Sequence, residues 1–320
     1  MRAILFCLLA SPALADIPEA VQDHILPGYA AFARASDSLA AVGKTCDVRA
    51  LQADFHLTYD AWMAVQHLHL GPGEDAGRAL SVLYWPDPKG MGAKAQKALL
   101  AGDPAKLAPE AFAQQSVAAR GLLALERLIW PADTLPADPC PLIAATTADL
   151  ARVAHEIDTG WQDYARLLTT AAEPGNTAFL TRAEARQALF TQLATGLESL
   201  SDQRIGRPLG SFDAPHPDRA EARASGRSAR NILLALQALR AFTATLTPDA
   251  PLTLAAFDKA IGQAQALADS DPVLDGIATP GGRLKLEILG QTVTAIRDLV
   301  LAEVAPEMDV GIGFNSADGD

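Results

Sequence analysis

The amino-acid sequence predicts an all-α fold built from two antiparallel helical-bundle halves. Long stretches of its 320 residues carry apolar side chains with helical period, and no run alternates in the way of a strand. The interruptions are rich in Pro or Gly, which is typical of helices that fold back on one another. A hydrophobic content of 49% is enough to bury one large core or two packed lobes.

The N-terminus predicts a secretory signal peptide. Arg2 supplies a positive charge, residues 3–10 are apolar, and an A-x-A pattern ends at Ala15, where we expect cleavage. The apolar stretch is too short to span a membrane, and Cys7 lacks the small residues that precede a lipoprotein processing site. We therefore expect a periplasmic mature chain, residues 16–320, with no transmembrane segment.

The clearest helix is predicted to run from Asp47 to Leu70. Phe55 and Trp62 lie on its apolar stripe, Asp47 is suited to cap its start, and Gly71-Pro72-Gly73 is suited to end it. Further helices are predicted at 18–42, 109–130, 141–172, 178–202, 217–246, 252–269 and 282–304. The break at 173–176 separates predicted halves at about 16–173 and 177–320.

Cys46 and Cys140 are the two cysteines that remain after signal cleavage. Two thiols in an oxidising compartment predict one disulfide, and two buried free thiols are the alternative. The mature chain keeps 25 Lys and Arg against 38 Asp and Glu, a formal charge of −13. Nucleic acid is therefore excluded as a partner, because phosphate binding needs a concentrated basic surface.

Glu126 stands in an otherwise nearly apolar run that ends at Trp130. Such a helix is expected to be buried, and a buried carboxylate needs a cation, a metal or hydrogen-bond donors. Arg120, Arg127 or an arginine of the segment 219–230 is the simplest partner.

Arg223, Arg227 and Arg230 fall at three- and four-residue steps, so on a helix they would share one face. We expect Glu126 to lie buried at the interface of the two halves, paired with one of these arginines. Such a pair would be structural, whereas a bound metal would make Glu126 a ligand.

His56, Asp60 and His67 share a second face of the predicted 47–70 helix, within about 40° of one another. Two imidazoles and a carboxylate suit a transition metal, but 60 and 67 are two turns apart, so His67 could join only through another helix. The simpler interpretation is a solvated polar face. His69 lies on the apolar stripe and is predicted to be a hydrogen-bonded core histidine.

The C-terminus reads G-F-N-x-x-D-G-D, an ending carried by Phe314, Asn315, Asp318, Gly319 and Asp320. It resembles the imelysin-like branch described as predicted periplasmic lipoproteins, and the segments around Trp62, at 84–87 and at 207–210 are similar to the same branch. Asp318 and Asp320 offer oxygen ligands for a hard cation. Alternatively, Phe314 anchors the chain end in a groove between the halves.

Imelysin-like proteins also carry a G-x-H-x-x-E motif, whose His and Glu have been proposed as metal ligands. Gly121 and Glu126 match this motif, but Leu123 stands where the histidine belongs and supplies no ligand. The resemblance implies a link to iron uptake or iron-regulated envelope function, with iron or another divalent metal as the implied cofactor.

Three functions remain open. The first is a binding protein whose cleft between the halves holds a metal, a metal complex or a periplasmic envelope protein. The second is a metallopeptidase, as the family's peptidase label implies, although no H-E-x-x-H or G-x-S-x-G motif is present and no catalytic residue is identified. The third is a docking module of an envelope assembly. The candidate ligand-contacting residues are Glu126, Arg223, Arg227, Trp62, Trp85, Asp318 and Asp320.

Overall fold

The computed structural model describes residues 16–311, and within them the all-α prediction is confirmed. The longer helices are α1 (Leu26–Gly43), α2 (Val48–Met63), α3 (Met91–Leu100), α4 (Gly121–Ile129), α5 (Cys140–Thr169), α6 (Arg182–Ser199), α7 (Ser228–Leu246), α8 (Pro251–Ser270) and α9 (Pro280–Leu299). Shorter helices are Ile17–Glu19, Arg78–Val82, Pro109–Ala113, Arg207–Leu209 and Ala305–Glu307. The predicted signal peptide and the tail residues Phe314, Asn315, Asp318, Gly319 and Asp320 lie outside the described residues.

The helices form two packed groups along the chain. Helices α1, α2 and α5 pack together in the first half, and α7 packs on α8, which packs on α9, in the second. Helix α7 also contacts α2 and the segment 20–25, so the buried apolar residues of both groups form one continuous core. The boundary at 173–176 stays a prediction. None of the described helices combines the length and apolar character needed to span a bilayer.

The predicted disulfide is confirmed, and it joins the end of α1 to the start of α5 within the first half. Cys46 follows α1, Cys140 begins α5, and their Cα atoms are 5.6 Å apart. The same two helices approach closely elsewhere, because a Cβ atom on Gly43 would lie 2.1 Å from Oγ1 of Thr147. Only glycine allows α1 and α5 to cross at this distance.

Three helical rods contain a π-helical segment, at Ala20–Ile25, Leu200–Gly206 and Val300–Val304. The second residue after the end of each segment is a proline: Pro27, Pro208 and Pro306. Proline within an α-helix clashes with the carbonyl four residues before it and removes a donor. In these segments the bonds run five residues back, which widens the turn just before the proline.

Three predicted helix boundaries are wrong. Helix α2 ends at Met63 instead of Leu70, because the chain turns where Val65 packs against Gly28. The predicted helix 109–130 is broken before Gly121, whose φ of 74° is left-handed. The predicted helix 217–246 begins only at Ser228, and α3 was not predicted at all.

Candidate functional site

Helix α4 carries the G-x-x-x-x-E part of the motif into the interior of the protein. A Cβ atom on Gly121 would lie 2.3 Å from the carbonyl oxygens of Ser81 and Val82, and its φ is 74°. Glycine is therefore required by the backbone at this motif position. Leu123 is 7% exposed and belongs to the apolar core. It fills the histidine position with packing in place of a ligand.

Glu126 is buried, 6% exposed, and faces the second half of the chain. Its Oε1 accepts hydrogen bonds from the backbone N–H of Ser225 at 2.9 Å and from the Ser225 hydroxyl at 2.5 Å. Burial raises the pKa of Glu126, while Ser225 and the charge of Arg127 oppose the rise. The predicted burial between the halves is confirmed, but the predicted arginine pair is wrong, because serine donors take that place.

The buried ion pair of this region joins Arg204 and Glu221 instead. Arg204, from the π-helical segment Leu200–Gly206, donates to Glu221 through Nε at 2.7 Å and through Nη2 at 3.2 Å. The Tyr59 hydroxyl of α2 donates to the same carboxylate at 3.0 Å, and the Arg204 guanidinium also reaches Gln66. Both charged side chains are almost fully buried, so each depends on the other for stabilisation.

Arg227 forms a second buried cluster with α2. Its side chain is fully buried, lies over the Tyr59 ring at 4.6 Å, and donates to Asp60 at 2.5 Å and to His56 Nδ1 at 3.0 Å. Arg230 donates to Asp60 as well. His56 and Asp60 are thus adjacent, as predicted, but they bind arginine. Two guanidinium groups occupy the carboxylate that a metal would need.

These side chains make up what we call the junction: Tyr59, Asp60, Glu126, Arg204 and the loop 219–227. The predicted helical face of Arg223, Arg227 and Arg230 does not form, because Ala222 and Gly226 have left-handed φ values of 49° and 73°. The loop is a succession of turns, which its contacts with Glu126, Arg204 and α2 hold in place. The halves are therefore joined by charge and hydrogen bonds at this place.

The remaining candidates lie around the junction. Arg223 turns away from Glu126 and binds Asp275 at 2.8 Å and the Val273 carbonyl at 2.9 Å. Trp62 is buried against Phe32, and Trp85 is half-buried. Arg204 lies over the Trp85 ring at 5.8 Å, which ties Trp85 to the junction. The roles of these residues toward a ligand stay predictions.

The two histidines near the end of the predicted 47–70 helix have the opposite exposure to that predicted. His67, predicted on a solvated face, is 1% exposed and packs against His24 and Phe242. His69, predicted in the core, is half exposed and contacts Glu74 at 3.1 Å. The early end of α2 causes both errors, since it rotates the residues that follow. We call His24 and His67 the histidine pair.

Sequence reasoning missed Tyr59, Arg204, Glu221 and Ser225. Glu221 stands among the arginines of the segment 219–230, and Arg204 lies in a polar stretch of the kind usually found on the surface. Nothing in the sequence next to either residue indicates burial. The proline two residues after the π-helical segment Leu200–Gly206 is the signal that could have directed attention to Arg204, because such segments are often found at functional sites.

Across residues 16–311, no group of three His, Cys, Asp or Glu side chains is placed to hold a metal ion. Glu126 nevertheless keeps one carboxylate oxygen, Oε2, that accepts no hydrogen bond from these residues. The junction can thus offer one carboxylate ligand, next to a fixed set of buried arginines.

The sequence matches the family model described as imelysin, a peptidase M75 model, over residues 23–300. No curated protein matches it significantly. Two crystal structures are similar in fold. An imelysin-like protein from Psychrobacter arcticum 273-4 has a TM-score of 0.76 at 21% identity, over 93% of this chain and 96% of that one. A candidate iron-regulated protein A precursor from Parabacteroides distasonis has a TM-score of 0.58 at 15% identity, over 91% and 92%.

Proposed function

Since this chain belongs to the imelysin family, we propose that it is an exported, iron-linked binding protein of the periplasm that holds a metal complex at the junction. One similar structure is named as iron-regulated, which supports the link to iron. The signal-peptide pattern and the Cys46–Cys140 disulfide support export to an oxidising compartment. The rest of the proposal depends on Glu126.

The observation that carries the proposal is that only one of the two carboxylate oxygens of Glu126 accepts hydrogen bonds from the described residues. Oε1 accepts two hydrogen bonds from Ser225, whereas Oε2 accepts none from the described residues. With Leu123 at the histidine position, the motif supplies a single ligand. An ion held there must therefore bring its other ligands with it, which favours a chelate over a bare ion.

The same reasoning disfavours the peptidase. Hydrolysis by a metal needs several protein ligands, an open position and a base. The carboxylate nearest to the motif on α2, Asp60, is bound by Arg227 and Arg230. A buried carboxylate that holds two guanidinium groups is not free to act as a base or as a ligand.

The test is calorimetric titration of the mature protein with iron(III)–citrate, with citrate alone and with iron(II). We expect one iron(III)–citrate to bind, citrate alone not to bind, and Glu126→Gln to weaken binding at least about tenfold, the usual effect of losing a charged contact. Glu110→Gln is the matched control, because Glu110 is exposed on a neighbouring short helix.

Four results would overturn the proposal. The first two are equal binding of iron(III)–citrate by the Glu126→Gln and Glu110→Gln variants, and binding of iron(II) alone as tight as that of the complex. The third is chelator-sensitive peptide cleavage that Glu126→Ala abolishes, which would establish the enzyme. The fourth is retention of an envelope protein but of no iron complex, which would replace this function by docking.

A further inference from the structure

The histidine pair lies between the two halves of the chain, away from the residues that form the junction. His24 comes from the π-helical segment Ala20–Ile25 and His67 from the turn that follows α2. Their ring centroids are 5.2 Å apart. Phe242 of α7 packs on both rings, at 5.1 Å from His24 and 5.0 Å from His67. Two imidazoles from distant parts of the sequence therefore share one apolar pocket.

Three of the four ring nitrogens in this pocket have no hydrogen-bond partner among the described residues. They are Nε2 of His24 and both nitrogens of His67, and all three atoms are buried. Each unpartnered buried polar atom costs about 1–3 kcal/mol. Three such atoms in one place indicate that the pocket is shaped for something that bonds to them.

His24 lies against the backbone of Ala64, which opposes the lowering of its pKa by burial, whereas its Nε2 is buried without a partner among the described residues. A neutral imidazole has one ring nitrogen that donates and one that accepts, so each ring can offer one lone pair to an ion.

Both rings also have the protonation state that a ligand needs. Burial lowers the pKa of His24 to about 4 and the pKa of His67 well below its usual value. At neutral pH both imidazoles are uncharged, and their lone pairs are available. His24 is only half-buried as a whole, so the pocket is one side chain away from solvent.

The surroundings select the charge of the ion. The pair has no carboxylate beside it, because no group of three potential ligands exists among residues 16–311. A divalent ion with two neutral ligands would leave two positive charges in an apolar pocket, which is very costly. Zinc also requires about four ligands. A monovalent ion that is satisfied by two imidazole nitrogens fits better, and Cu(I) has both properties.

Gly196 of α6 lies against the base of the His67 side chain. A Cβ atom at this position would lie 3.0 Å from His67 Cβ and 2.7 Å from Leu239 Cδ2. Helix α6 therefore packs closely on His67 through a residue that has no side chain and supplies no ligand.

We propose that His24 and His67 bind one Cu(I) ion through their ring nitrogens. The site is independent of Glu126 and of the proposed iron complex. Its occupation would link the segment Ala20–Ile25 to the turn that follows α2, and so would stabilise the folded chain.

The experiment is an anaerobic titration of the mature protein with Cu(I) in competition with a chromophoric Cu(I) chelator. We expect one ion per chain and, by X-ray absorption, a Cu(I) edge with nitrogen ligands in the first shell. His24→Phe and His67→Phe should each lower the affinity at least about a hundredfold, since a lone imidazole cannot hold the ion. His155→Ala, at an exposed histidine, and Glu110→Gln, at an exposed carboxylate, should bind Cu(I) as the unaltered protein does.

A second measurement does not depend on the variants being folded. When Cu(I) is added to the unaltered protein, the imidazole NMR signals of two rings, His24 and His67, should shift. The signals of the other histidines should not. Shifts confined to exposed histidines, binding that survives both Phe substitutions, or no retained ion would each overturn the proposal. Those results would mean that the ring nitrogens bond to water only.

Discussion

The two polar clusters between the halves, the junction and the histidine pair, accommodate buried polar groups in opposite ways. At the junction each buried charge has a partner, and Glu221 alone is bonded by Arg204 and Tyr59. In the histidine pair, three ring nitrogens have none in the described part of the chain. The Arg204–Glu221 pair is complete without a ligand, whereas the histidine pair is not. At the junction, Oε2 of Glu126 is the carboxylate oxygen that stays open to a ligand.

Removal of the Glu221 charge should have the largest effect. Glu221→Gln leaves the Arg204 guanidinium buried without its counter-ion, which typically costs about 3–5 kcal/mol. Urea unfolding followed by circular dichroism measures this loss, with the exposed Glu110→Gln variant as control. A loss below about 1 kcal/mol, the value of an exposed pair, would show that water reaches the junction.

Lowering the pH should reduce the free energy of unfolding, because the histidine pair is buried in its neutral form. The folded pKa of His24 is about 4 against 6.5 ordinarily, and that of His67 is also lowered, so the unfolded chain takes up protons that the folded chain excludes. The free energy of unfolding should therefore fall from pH 6.5 toward 4, by about 1.4 kcal/mol per pH unit for each ring. Urea unfolding of copper-free protein at pH 7, 6 and 5 measures the slope.

A matched comparison identifies the source of that slope. His67→Phe should reduce the slope to that of His24 alone, about half, whereas His155→Ala should leave it unchanged, because His155 is exposed beside Asp37. A stability that is constant between pH 7 and 5 would contradict the burial of the ring nitrogens. It would also remove the distinction drawn between the two clusters.

Glu126→Gln should have a smaller effect than Glu221→Gln, about 1 kcal/mol. The amide oxygen of glutamine can still accept from both Ser225 donors, so only the charge is lost. The pKa of Glu126 is raised by burial, so ionisation already opposes folding above that pKa and its loss compensates in part. Thermal unfolding of both variants under one condition gives the order. Equal effects would place Glu126 in a charge pair after all.

The smallest effect should have the opposite sign. Asn231 on α7 is fully buried, and both atoms of its amide group lack a partner among the described residues. Asn231→Leu replaces an unpaired polar group by an apolar one of similar size and should stabilise the protein by about 1 kcal/mol. Thermal unfolding measures it, with the exposed Asp202→Leu as control. A destabilised variant would indicate a buried water bonded to Asn231.

The sequence predicts most helices because capping residues and apolar periodicity are local features. It predicts the disulfide because only two cysteines remain after the expected signal cleavage. Asp47 caps α2 through the backbone N–H groups of Arg49 and Ala50, as its position predicts. The end of α2 has no such signal: nothing near Met63 marks a stop, and the packing of Val65 against Gly28 ends the helix. Tertiary contact decides that boundary, and with it the positions of two histidines.

Of the candidate site, the sequence predicts the burial of Glu126 but not the residues that bond to it. The apolar neighbours of Glu126 indicate that it is buried, since a helix of that composition must face other helices. The hydrogen-bond partner of Glu126 could not be predicted, because Ser225 lies 99 residues away in the sequence. Its backbone N–H and its hydroxyl both donate to Glu126 only because the loop turns at this place. Left-handed residues in the loop, such as Ala222, have no sequence mark that separates them from helical alanine.

The π-helical segments have a consequence for how related sequences align. Each widened turn holds one residue more than an α-helical path would, and that residue rotates everything after it by about 100° around the rod. Pro27, Pro208 and Pro306 each lie just beyond such a place. Relatives that lack one of these prolines should show a single-residue gap there. An extra residue at such a place would change the direction in which the following side chains point without changing the order of the helices.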